Sequence, residues 1–131
     1  MKLLAIDFGL RKIGLAMTEG DLAEPLMVIS HQPRVVKTLV KICQDYGIQK
    51  VIMGMPEGEM ARKVRSFSEE LARESKLPVI YQDETLTTRE AIAKMVAAGK
   101  RKKYRREKED AFVAALILQK YLDRQKGRRF V

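Results

Sequence analysis

Apolar and polar positions follow two rhythms along this chain. Near the N-terminus the rhythm is that of a strand. Lys2–Phe8 is a run of Leu, Ala and Ile, and Ile13–Thr18 is a second such run. Gly9-Leu10-Arg11-Lys12 separates them as a hairpin turn, with the glycine expected to supply an unusual backbone angle. Leu26–His31 reads as a third short strand after a loop over residues 19–25. The period then lengthens. Val35, Val36, Leu39, Val40, Ile42 and Cys43 form one helical stripe, which Gln32-Pro33 opens and Gly47 closes. The apolar run of Lys50–Gly54 predicts a strand buried on both faces. Met60–Lys76 predicts a helix with Val64, Phe67 and Leu71 inside, and Pro78–Tyr81 a fifth strand. Thr87 and Glu90 have the spacing of a capping box that opens a helix to Ala98, closed by Gly99. Residues 100–106 read as a basic connector, Glu107–Asp123 as the last helix, and 125–131 as a fraying tail.

Three strands followed by alternating helices and strands predict an α/β fold. Its sheet is mixed and five-stranded: an antiparallel meander plus two parallel strands, flanked by helices. No repeat or linker divides the chain. Its 131 residues, 46% of them apolar, suit a single domain over residues 1–131.

Charge changes the picture. Residues 100–131 hold 12 Lys and Arg against 4 Asp and Glu, a net +8, while residues 1–99 are near neutral. A neutral body with a basic C-terminal quarter suits a polyanionic partner, nucleic acid first, or a merely solvated tail. The single cysteine, Cys43, lies on a helical apolar stripe and reads as a buried, inert thiol. His31 is the only histidine, which leaves no pair for zinc, and it reads as structural. An acid at position 7 comes too early for a signal peptide, and no apolar run is long enough to span a membrane. The expected setting is the reducing cytoplasm.

Three acidic positions are placed awkwardly. Asp7 ends the apolar row Leu3, Ala5 of the first strand. Asp110 heads the core stripe Val113, Ala114, Ile117, Leu118, Tyr121 of the last helix. Asp83 and Glu84 close the fifth strand. Each alone has an ordinary explanation, a turn residue at 83 or a helix-start acid at 110. Together they place carboxylates at the tips of several buried elements. Clustered carboxylates repel unless cations hold them, and oxygen ligands select Mg²⁺ or Mn²⁺. Two such ions roughly 4 Å apart can clamp the attacking and leaving oxygens of a phosphodiester.

Four segments then occur in order: "AIDFGLRKIGLA", "VIMGMP", "DETLTTREA" and "KEDAFVAALILQKYL". Together they resemble the YqgF (RuvX) family of Holliday junction resolvases and nucleases that mature the small-subunit ribosomal RNA precursor. The likeness covers nearly the whole chain. It implies an RNase H-like fold and a metal-dependent nuclease with Asp7, Glu84 and Asp110 as catalytic and metal-binding acids. Arg11 and Lys12 would face substrate phosphates, with Gly9 and Gly14 shaping their turn. Gly54, Pro56, Asp83, Thr87 and Thr88 would support the site. Lys100, Arg101, Lys102, Lys103, Tyr104, Arg105 and Arg106 form the basic run expected to bind nucleic acid, Tyr104 by stacking on a base. RNA is expected ahead of DNA, with the 5′ end of pre-16S rRNA in a pre-ribosomal particle as substrate and four-way DNA as the alternative. Two positions depart from the family pattern. Thr85 stands where relatives carry Arg after Asp-Glu, leaving Arg89 or Arg11 to substitute, and the segment "EGEMARK" after Pro56 is short.

Two other classes compete. A sugar-kinase or actin-like ATPase shares an Asp-x-Gly hairpin but needs a second lobe and a second phosphate loop. A non-catalytic RNA-binding module would need only the basic C-terminal quarter. Neutralising Lys102, Lys103, Arg105 and Arg106 is expected to flatten the salt dependence of nucleic-acid binding. A titration from low to moderate salt measures this, and an unchanged slope would exclude the segment as a contact surface.

Overall fold

A computed structural model describes residues 1–84 and 102–129, by backbone alone at 102–108 and 128–129. Five strands form one sheet in the order β3-β2-β1-β4-β5. They are β1 (Leu3–Asp7), β2 (Lys12–Glu19), β3 (Leu22–Ser30), β4 (Lys50–Met55) and β5 (Val79–Asp83). β1, β2 and β3 are antiparallel, and β1, β4 and β5 run parallel. Helices α1 (Val35–Tyr46) and α2 (Glu59–Ser75) make the parallel crossovers, and α3 (Lys102–Arg129) follows.

Strand period two sorts the core into two layers. Leu4, Ile6, Ile13, Leu15, Val51 and Met53 face α1 and α2, where Leu39, Val64 and Leu71 complete the packing. Leu3, Ala5, Ala16 and Ile52 face the other way, onto Val113, Ala114, Ile117 and Leu118 of α3. β1 and β4 are the inner strands of the parallel half. The expectation that β4 is buried on both faces therefore holds, with Val51, Ile52 and Met53 fully buried. Gly47 ends α1 in the left-handed conformation (φ 66°) and donates to the carbonyls of Cys43 and Gln44.

Several boundaries differ from the sequence reading. The expected loop over 19–25 is a tight turn at Gly20-Asp21, and β3 begins at Leu22. Gly20 takes φ 62°, which lets the chain reverse at once. β3 is an edge strand, half exposed, so its apolar signal is weak. Pro25 is tolerated there, where the β2 pairing is irregular between Leu15 and Ala16. The turn glycine Gly9 does not adopt positive φ. It is needed because a Cβ would strike the Lys12 carbonyl. Residues 102–106 are the first turns of α3 rather than a connector, and the helix runs on to Arg129. No Pro occurs after residue 101 and the first Gly is Gly127, so nothing in the chain stops the helix where its apolar stripe ends. The expected helix from Thr87 to Ala98 lies outside the described residues.

Polar side chains tie α3 to three strands. Gln119 Oε1 accepts from Ala23 N–H of β3 (3.0 Å). Lys50 of β4 donates to the Tyr121 hydroxyl (3.3 Å), and Arg124 donates to Gln82 of β5 (3.1 Å). Close approach rests on missing side-chain bulk. A Cβ at Gly14 would collide with the Asp110 backbone, and one at Gly54 would lie 2.6 Å from Ile117 Cδ1. Gly14→Ala is therefore expected to push α3 off the sheet and to cost about 2–4 kcal/mol, read as a lower urea midpoint.

Candidate active site

β1, β4 and β5 are parallel, so their C-terminal ends meet at one edge of the sheet. Ile6 pairs with Met53, and Met55 with Asp83. Asp7 ends β1, and Glu84 follows β5, its N–H donating to the Met55 carbonyl (3.4 Å). Asp110 comes from the opposite side of the chain, on α3. Gly14 stands directly across from Asp7 in the β1–β2 pair and touches the Asp110 backbone. A glycine in the body of β2 thus brings the two acids together. It does not shape the turn, as expected of it, because the turn ends before it. On the other side of β1, bare Gly54 leaves the space that Glu84 fills, since a Cβ there would sit 2.7 Å from Glu84 Oε2.

Burial and crowding set the electrostatics. The Asp7 carboxyl is pushed up to about 8, first by desolvation, then by the charges of Glu84 and Asp110, by a hydrogen bond with Glu84, and by Glu109. Burial also raises Glu84, with Asp83 adding to it and the bond with Asp7 opposing it. Burial raises Asp110, opposed by the charge of Lys12. Glu84 Oε2 is buried and has no hydrogen-bond partner among the described residues. Among the described residues, no three His, Cys, Asp or Glu side chains close into a ready metal cage. Asp7 and Glu84 form a tight pair, with Asp110 beside it as an electrostatic neighbour.

The other expected residues fall around this pocket. Arg11 and Lys12 are exposed at the β1–β2 turn, and Pro56 lies in the loop after β4. Asp83 is exposed at the end of β5. Lys102, Lys103, Tyr104, Arg105 and Arg106 begin α3, while Thr87, Thr88, Lys100 and Arg101 lie outside the described residues. His31 does more than fill the core. Its Nδ1–H donates to the Gly9 carbonyl (2.7 Å), and its backbone N–H to the Arg11 carbonyl (2.9 Å). Its ring packs edge-on against Phe8, with centroids 5.1 Å apart, so it braces the turn that carries Arg11 and Lys12. Sequence reasoning missed this bracing because His31 belongs to no local motif, and missed the influence of Glu109 because its nearness to Asp7 depends on how α3 lies across the sheet.

Known proteins resemble this chain over most of its length. Residues 1–124 match the RuvX family, described as Holliday junction resolvase. A Rickettsia canadensis protein named "Putative pre-16S rRNA nuclease" is 36% identical over 132 residues, covering 93% of this chain and 86% of its own. A Rickettsia felis protein of the same name is 35% identical over 134 residues, covering 95% and 87%. Among solved structures, RuvC of T. thermophilus in complex with a Holliday junction substrate superposes with a TM-score of 0.65 at 18% identity, covering 97% of this chain and 96% of that one. The fowlpox virus Holliday junction resolvase gives 0.62 at 13%, covering 95% and 99%. The chain belongs to the RuvX family. Its fold is RNase H-like, and it is a nuclease, a hydrolase of phosphodiester bonds.

The raised Asp7 carboxyl has a consequence for stability. Between the ordinary carboxyl range near pH 4 and the folded value of about 8, the folded state binds more protons than the unfolded chain. Metal-free protein is therefore most stable at the acid end of that window and loses stability as pH rises through it. Its Tm is expected to fall by several degrees between pH 5 and 8. Asp7→Asn is expected to flatten that fall in a thermal melt series.

Proposed function

We propose that Asp7, Glu84 and Asp110 hold divalent cations, Mg²⁺ or Mn²⁺, and that hydrolysis occurs at the sheet edge they share. The observation that carries this is the buried Glu84 Oε2, without a partner among the described residues, beside a carboxyl whose proton affinity is raised by two neighbouring acids. A pocket of hard oxygen donors that repel one another fits a hard cation, and Gly54 keeps room for the donor that lacks a partner. When bound, such ions supply charge neutralisation of the phosphodiester and activation of the attacking water.

The chain's own groups do the rest. At neutral pH Asp7 holds a proton shared with Glu84 and must release it for both oxygens to serve as ligands, so cation affinity rises with pH. Lys12 faces Asp110 and draws its carboxyl toward the ionised form. Arg11, exposed on the same turn, meets a substrate phosphate. His31 keeps that turn in position through its bond to Gly9. The helical run from Lys102 to Arg106 supplies further phosphate contacts at the start of the helix that carries Asp110.

The substrate we favour is RNA, namely the 5′ end of the small-subunit rRNA precursor within a pre-ribosomal particle. The names of the curated relatives support this reading. The family's description supports a second substrate, the four-way DNA junction. A reducing cytoplasm suits both, and Cys43 is buried there with its thiol pushed up to about 11 by desolvation.

A cleavage assay offering precursor rRNA ends, single-stranded RNA and four-way DNA junctions tests the reading, each with Mg²⁺, Mn²⁺ or EDTA. Cleavage is expected with either ion and none with EDTA, greatest on the rRNA ends. Asp7→Asn is expected to reduce the rate on the order of 10³-fold or more while leaving affinity in EDTA within about threefold. Full cleavage in EDTA, or by Asp7→Asn, would refute the metal role.

A further inference from the structure

We propose that Arg62, Lys63 and Arg65 on α2 form a separate nucleic-acid contact surface that holds the substrate backbone beyond the carboxylate pocket. The inference rests on reading that pocket as the site of phosphodiester hydrolysis. α2 starts at Glu59, four residues after Met55 at the end of β4, so it leaves the same sheet edge as Asp7 and Glu84. At 1.5 Å per residue, Arg65 lies within about 9 Å of the helix start.

Burial sets the direction of these side chains. α2 turns Ala61, Val64, Phe67, Ser68 and Leu71 into the core, which leaves Arg62, Lys63 and Arg65 exposed. The three cations line an open hollow of about 560 Å³ with Gly58 and Glu59. Glu59 is the one acid among its described lining residues. None of the three cations forms an ion pair with a described residue. The second half of α2 instead carries Glu69, Glu70 and Glu74, against a single cation, Arg73. A helix dipole favours acids early and cations late, so this segregation does little for the helix itself. It does suit a polyanion that approaches only the first turns.

Topology adds a path. β1 lies between β2 and β4, so the exposed Arg11 and Lys12 of the β1–β2 turn stand on one side of Asp7 and the α2 ridge on the other. A phosphate backbone crossing the sheet edge from turn to ridge passes over the acids. The ridge is on the face opposite α3, so it is a contact distinct from the basic start of that helix.

The test uses the full chain with Arg62→Gln, Lys63→Gln and Arg65→Gln combined. Binding of a fluorescent single-stranded RNA oligonucleotide and of a four-way DNA junction is measured in EDTA across a salt series. The slope of log affinity against log salt is expected to become shallower by about 2 for the single strand, with affinity at low salt down about tenfold. Because all three residues are exposed, Tm is expected to stay within about 2 °C. A control with Lys37→Gln, Lys41→Gln and Arg73→Gln removes equal charge elsewhere and is expected to leave the slope unchanged. An unaltered slope in the ridge variant, or equal flattening in both variants, overturns the proposal. The hydrolysis reading fails on a different result, undiminished cleavage by Asp7→Asn, and that leaves the binding slopes free to decide the ridge.

Discussion

The close seating of one helix on the sheet governs this molecule. α3 reaches β1, β2 and β4 because small residues stand at the contact: Ala5, Ala16 and Gly14 on the sheet, with Ala114 and Ala115 on the helix. Dispersion and burial reward that approach, and interior packing leaves little slack in it. Its by-product is electrostatically unfavourable. It presses the carboxyl of Asp110 toward a pocket that already holds Asp7 and Glu84, and removes much of their water. Packing stabilises the fold, and the crowded acids are stabilised through it.

That conflict explains the chemistry. Burial raises the proton affinity of all three carboxylates, Glu84 and Asp110 raise that of Asp7 further, and a phosphodiester would add a further negative charge to the same place. Among the described residues no ion pair reaches Asp7 or Glu84, and Lys12 is the cation that acts on Asp110. Cations of the described residues therefore do not neutralise the cluster, and divalent ions are the natural counterweight. The wider charge distribution works in the opposite sense. A net charge of +9 draws a polyanion in from a distance, while the local acids oppose it at the sheet edge.

Much of this was legible in the order of residues. Period two in β1 and β4 and the helical stripes of α1 and α2 depend on local geometry, so the chain states them directly. Asp7 and Asp110 announce themselves as acids at the tips of apolar rows. Family resemblance was needed to choose Glu84 over Asp83. Local rules went astray where an element lacks an apolar face of its own. β3, half exposed at the edge, reads as a loop over its first four residues. The start of α3, running past its buried stripe, looked like a connector.

The sequence by itself determined which faces are buried, which residues are acids with poor alternatives, and that basic charge gathers toward the C-terminus. These follow from side-chain chemistry and from periods only a few residues long. Tertiary structure alone decided that Gly14 makes room for Asp110, that Gly54 shelters Glu84, and that His31 holds the turn beside Arg11. Each of these depends on two segments far apart in the chain approaching to van der Waals or hydrogen-bond distance. No local pattern records that separation, because it is set by the closure of the whole sheet and the helix lying across it.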